Sequence, residues 1–85
     1  MAVVFESEKD ADNKVKHGLS LGDFDGFDSE PLVLTDDRFE YGETRYRAFG
    51  RIDGQGHCLV FTLRGEDMRL ISFRRAHEKE MRKYA

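Results

Sequence analysis

Apolar and polar residues alternate over two stretches in the second half of the chain. Cys58–Arg64 reads Cys-Leu-Val-Phe-Thr-Leu-Arg, and Met68–Arg74 reads Met-Arg-Leu-Ile-Ser-Phe-Arg. Alternation puts one face of a strand in the core and the other face out. The polar Gly65-Glu66-Asp67 between them predicts a hairpin. A three-residue loop sets Arg64 opposite Met68, Phe61 opposite Ile71 and Leu59 opposite Phe73. Leu59, Phe61, Leu63, Ile71 and Phe73 then share one face. Cys58, Val60, Thr62, Arg64, Leu70, Ser72 and Arg74 share the other. A loop one residue shorter would send Ser72 and Arg74 into the core, so burial selects the three-residue register.

The other elements follow from caps and periodicity. Ala76–Tyr84 reads as a basic C-terminal helix, and Ala2–Phe5 as a short strand at a sheet edge. Ser7 is placed to cap a helix over Glu8–His17, with acids in its first turn and Lys14, Lys16 and His17 in its last. Gly18 stops it. Its narrow apolar stripe is Ala11 and Val15. Ser20 is placed to cap a second helix, Leu21–Phe27, whose Leu21, Phe24 and Phe27 recur at helical spacing. Leu32–Leu34 is a brief strand, and Thr35–Glu43 an acidic loop. Thr44–Arg51 is a strand with Tyr46 and Ala48 on one face and Arg45, Arg47 and Phe49 on the other. Asp53-Gly54-Gln55-Gly56 turns it into the next strand. The expected fold is α+β: a small antiparallel meander sheet, two N-terminal helices and a C-terminal helix, with the helices packed on the apolar face.

The 85 residues predict a single domain spanning 1–85. At 39% hydrophobic and 36% charged, the chain is globular rather than disordered. One cysteine excludes an internal disulfide framework and fits a reducing compartment. No apolar run is long enough to span a bilayer, and Met-Ala-Val-Val-Phe-Glu lacks the basic start of a signal peptide. The expectation is a cytoplasmic protein with no membrane partner. The net charge of −3 is unevenly spread: residues 1–43 hold four bases and twelve acids, whereas residues 44–85 hold ten bases and five acids. The basic half has the electrostatics of a polyanion binder.

Several chemistries lack support. His17, His57 and His77 are scattered, with no metal-ligand spacing. No local signature surrounds Ser72 or Cys58 as a nucleophile, and Gly54-Gln55-Gly56 is a hairpin turn rather than a phosphate-cradling loop. The expectation is no metal and no cofactor. What remains is arginine, whose planar fork suits phosphate. A ribonuclease needs only such a surface plus proton carriers, because the ribose 2′-OH supplies the nucleophile. Lys16, His17, His77 and Tyr84 are the candidate carriers.

One further pattern runs through the chain. Lys9, Asn13 and Lys16-His17-Gly18 fit K-x-x-x-N-x-x-K-H-G, and Thr62-Leu63-Arg64-Gly65 fits T-x-R-G. Arg69-Leu70-Ile71-Ser72-Phe73-Arg74 fits R-I-I-S-A-R, while Glu80, Arg82 and Tyr84 fall near a closing E-R-x-x-Y. The chain thereby resembles BrnT-type toxins of type II toxin–antitoxin systems, a family similar to the RelE ribonuclease fold. Phe5-Glu6 stands in place of the family's Trp-Asp, Tyr46 in place of a Trp, and Gly22 and Gly26 interrupt its second helix.

The resemblance implies a ribonuclease that cleaves RNA and inhibits translation. It also implies a cognate antitoxin of ribbon–helix–helix type, BrnA-like, with DNA reached only through the antitoxin complex. Combined with the arginine face, it assigns catalysis to Lys16, His17, Arg64 and Arg74. Arg45, Arg47, Arg69, Arg75, His77, Arg82 and Tyr84 are assigned to RNA binding. The main alternative is a non-catalytic nucleic-acid-binding module. A third is a protein adaptor using the acidic loop Asp36–Glu43.

Overall fold

The computed structural model describes residues 2–38 and 40–84. Phe39, inside the expected acidic loop, lies outside the described residues. The elements in chain order are β1 (Val3–Val4), α1 (Ser7–His17), a single 3₁₀ turn (Leu21–Asp23), β2 (Leu32–Asp36), β3 (Arg45–Ile52), β4 (Gln55–Arg64), β5 (Asp67–Arg75) and α2 (Glu78–Tyr84). The strands form one sheet in the order β1-β5-β4-β3-β2. All neighbours are antiparallel except β1, which runs parallel to β5 with Val3 beside Met68.

The α+β class holds, but the expected antiparallel meander with two N-terminal helices does not. The sheet is mixed, because the chain leaves β1 through α1 and returns to that edge only at β5. The second N-terminal helix shrinks to the 3₁₀ turn. Ser20 caps this turn, accepting from the Gly22 N–H at 3.1 Å, while the Asp23 carboxylate accepts from the Ser20 N–H at 3.1 Å. It cannot extend to Phe27, because Gly26 sits at φ +105°, outside helical space.

The two faces of the sheet are covered by different parts of the chain. On one face, Leu21, Ala48, Leu59, Phe61, Leu70 and Phe73 form a core under Leu19, Phe24 and Phe27. Phe24 meets Phe73 edge-on at 5.6 Å. The opposite face holds Phe49, Cys58, Val60, Ala76 and Met81, so α2 packs there and not with the other helical segments. Tyr84 stacks on Phe49 at 4.4 Å. Met81 and the Ala76 carbonyl crowd Gly56 so closely that a Cβ there has no room. α2 covers only one end of this face; the other end stays open.

The β4–β5 hairpin departs from the predicted register in an instructive way. Arg64 pairs with Asp67, so the loop is two residues, with Gly65 at φ +59°. That shorter loop should have buried Ser72 and Arg74. It does not, because the register shifts between Val60 and Phe61: Val60 pairs with Ser72, but Phe61 pairs with Leu70. Ile71 is the extra residue of a β-bulge. Leu70 thus enters the core and Ile71 moves to the open face, the reverse of the sequence expectation, while Leu59–Phe73 and Cys58–Arg74 remain as predicted.

α1 does not pack through an apolar stripe: Val15 is 88% exposed. Its one buried residue is Asn13. The Asn13 amide acts as a missing strand neighbour for β5. It accepts from the Phe73 N–H at 2.9 Å and donates to the Phe73 carbonyl at 2.8 Å and the Leu19 carbonyl at 2.8 Å. Asp10 fastens the same helix to the 3₁₀ turn, accepting from the Ser20 hydroxyl at 2.8 Å and the Leu21 N–H at 2.7 Å. Asn13→Ala strands two buried backbone groups of Phe73, each worth about 1–3 kcal/mol. The expected loss is about 2–4 kcal/mol, read as a lower denaturant midpoint with an unchanged slope.

Candidate active site

The open end of the sheet is built by strand alternation. β3 projects Arg45 and Arg47 onto it, β4 projects Cys58, Val60 and Arg64, and β5 projects Arg69, Ile71, Ser72 and Arg74. The bulge matters here, because it places Ile71 and Ser72 side by side on the floor. α1 ends at the rim. Gly18, at φ +71° with its N–H bonded to the Lys14 carbonyl at 2.9 Å, stops the helix so that Lys16 and His17 stand over β5.

A cleft of about 260 Å³ occupies the centre, lined among others by His17, Arg38, Tyr41, Arg45, Ser72 and Arg74. A second, of about 250 Å³, adjoins it through His17, Arg45 and Ser72 and is bordered by Lys9 and Lys16. A smaller hollow of about 60 Å³ lies beyond Arg45 and is flanked by Arg64 and Arg69. Arg45 lines all three.

The arginines are held by carboxylates. Arg74 makes a two-pronged bond to Glu80 of α2, at 2.9 and 2.8 Å. Glu43 bridges Arg45 at 3.3 Å and Arg64 at 2.9 Å. Arg69 reaches Glu6 at 3.1 Å. Arg47 makes no ion pair among the described residues; its guanidinium lies 5.5 Å from the Tyr84 ring and 5.7 Å from the Phe49 ring. His17 stands exposed at the helix end, but desolvation on its cleft side pulls it below its ordinary value of 6.5, followed by the positive charges of Arg74 and Lys16. A neutral imidazole beside a fixed guanidinium is thereby favoured at neutral pH. The Cys58 thiol is pushed up by burial, which fits a packed side chain rather than a nucleophile.

The predicted site residues separate into groups. Lys16, His17, Arg45 and Arg74 converge on the two adjoining clefts. Arg64 and Arg69 form the flank. Arg74 lies opposite Cys58, six residues before Arg64 on β4, which is roughly 20 Å of strand. Arg75, His77 and Arg82 are exposed and line none of these hollows. Tyr84 is half-buried against Phe49.

Sequence reasoning missed Asp36, Arg38 and Tyr41, read as a solvated acidic loop. Asp36 ends β2 opposite Arg45 and is buried. It accepts from Arg38 Nε at 2.7 Å, Arg38 Nη2 at 2.9 Å and the Tyr41 hydroxyl at 3.1 Å. That fork holds its carboxyl at about 2. With Asp36 and Glu43 both engaged by internal arginines, the adaptor reading loses two of its acids. The only sequence signal was the Asp-x-Arg spacing after a β-type run.

Among the described residues, no group of three His, Cys, Asp or Glu side chains converges as a metal site, and no helix is long and apolar enough to cross a membrane. No curated protein is significantly similar to the chain. A family model described as "Ribonuclease toxin, BrnT, of type II toxin-antitoxin system" matches residues 5–80. The matched span carries α1, the whole open face and both clefts, and the chain therefore belongs to the BrnT family of ribonuclease toxins of type II toxin–antitoxin systems.

Proposed function

We propose that this ribonuclease toxin cuts RNA without a metal ion, in the cleft between His17 and Arg74, and thereby inhibits translation. The observation that carries the reading is the convergence of a neutral-leaning imidazole and a guanidinium on one cleft, close enough that Arg74 depresses the His17 pKa. In the reaction the ribose 2′-oxygen attacks the adjacent phosphorus and the P–O5′ bond breaks. His17 takes the 2′-OH proton, and the departing 5′-oxygen receives one from Lys16 or from water. Arg74, with Arg45 beside it, stabilises the negative charge that builds on the phosphoryl oxygens. Arg64 is too far along β4 to grip the same phosphate. It steadies the RNA backbone farther along the strand, together with Arg69. Arg47 extends the cationic track toward Tyr84, and Arg75, His77 and Arg82 contribute outlying charge.

The cognate antitoxin that a type II system requires is proposed to be of ribbon–helix–helix type and to cover this face. RNA is proposed as the substrate, and DNA is reached only through the antitoxin complex. The test is incubation of the purified chain with bacterial RNA in EDTA. Cleavage that persists in EDTA is expected. RNA binding without cleavage would favour a non-catalytic binding module, and cleavage abolished by EDTA and restored by a divalent ion would defeat the metal-free reading.

A further inference from the structure

We propose that Asp36 is the positioning residue of the cleft, and that Arg38, which it holds, is a further cation contacting the RNA phosphate beside Arg45 and Arg74. This deepens the reading above and rests on it. The Asp36 side chain is 1% exposed, whereas that of Arg38 is 48% exposed. A buried carboxylate needs compensation, and the Arg38 fork plus the Tyr41 hydroxyl satisfy both of its oxygens. The fork uses two of the five guanidinium N–H donors. The remaining three have no acceptor among the described residues, on a group that lines the cleft.

The contrast with the neighbouring pair is informative. Arg74 is held in the same forked way by Glu80 of α2, but that carboxylate is 28% exposed and lies nearer solvent than Asp36. Asp36 is buried at a strand end and cannot withdraw. Arg38 keeps its anchor when an anion arrives, which is the condition for a preorganised donor. The same carboxylate also orders Arg45. Tyr41 donates to Asp36, and the Arg45 guanidinium lies 4.1 Å above the Tyr41 ring. One buried acid thus fixes one arginine directly and a second through a phenol. The positive charge of Arg38 is felt at Arg74 across the cleft, and two like charges facing one hollow suit an anion between them.

The experiment compares the parent chain with R38A, R38K, D36N and the exposed control K79A. It measures cleavage of bacterial RNA in EDTA, binding of a fluorescein-labelled single-stranded RNA across a salt series, and melting temperature. R38A is expected to slow cleavage about 10²-fold and to flatten the slope of log affinity against log salt by about 0.7. R38K should not rescue the rate, because an ammonium cannot keep the fork on Asp36. D36N should slow cleavage while binding RNA as tightly as the parent or tighter, having lost a negative charge. A merely structural Asp36 would weaken both in step with melting temperature. An R38A chain with parental rate and salt slope overturns the proposal; because R38A leaves the buried Asp36 carboxylate without its fork, every rate is compared well below that variant's own melting temperature. A parent that binds RNA without cutting it defeats the cleavage reading alone, since the salt slope still reads Arg38. A parent that neither cuts nor binds overturns both.

Discussion

His17→Ala is expected to slow RNA cleavage by about 10²–10⁴-fold, the usual contribution of a proton-transfer residue. The variant should fold normally, because His17 is an exposed end residue of α1 and the buried anchor of that helix is Asn13. The pH profile gives the same prediction a second signature. A base works only when neutral, so the parent rate should rise with pH through the His17 pKa and level off above it. Desolvation on the cleft side and the neighbouring Arg74 and Lys16 charges place that rise below the ordinary 6.5. The midpoint of the rise therefore lies on the acid side of 6.5, and the parent rate falls on acidification through it. His17→Ala should lose this acidic limb altogether. A parental profile in the variant would move the proton transfer to Lys16 or elsewhere.

Arg74→Ala is expected to cost about 10²–10³-fold in rate, the range for one preorganised donor to a developing oxyanion. Two features separate this from a structural effect. Glu80 loses its partner, yet α2 stays docked through Met81 and the Tyr84–Phe49 stack, so the melting temperature should change little. Arg74 also depresses the His17 pKa. Removing that charge should move the acidic limb of the residual activity upward, toward 6.5. Arg74→Lys should keep the limb near its parental position, because the charge remains, while recovering only part of the rate, because the fork is gone. A rate loss without any shift of the limb would separate Arg74 from His17.

The polar face was legible in the sequence because strand alternation is robust. Arg45, Arg47, Arg64 and Arg74 stand on the predicted side in β3, β4 and β5. The hairpin register failed at one place for a definite reason. Leu70 and Ile71 are both apolar, so burial cannot choose between them, and a bulge lets a two-residue loop satisfy Leu70 and Phe73 together. The position of α2 was also hidden. Its Met81 and Tyr84 are apolar enough for either face, and what selects the open one is the gap above Gly56 and Phe49.

α1 misled because the narrow Ala11 and Val15 stripe in its sequence is not what packs; it is anchored by an amide that replaces a strand neighbour, a contact with no hydrophobic period. Asp36 and Arg38 were hidden for a similar reason. In sequence they belong to a run of charges that looks solvated, and only the pairing of β2 with β3 turns Asp36 inward beside Arg45. Lys16, His17 and the arginines were thus visible one by one as candidates, whereas their convergence depended on where α1 stops and where β5 bulges.

The most direct test of metal-free cleavage through the RNA's own 2′-hydroxyl is the chemistry of the cut ends. Fragments from the parent reaction in EDTA should carry a 2′,3′-cyclic phosphate on one side and a 5′-hydroxyl on the other, because the 2′-oxygen becomes bonded to phosphorus as the 5′-oxygen leaves. Fragments ending in a 3′-hydroxyl and a 5′-phosphate would mean that water or another nucleophile attacked instead, and would contradict the assignment of the His17–Arg74 cleft.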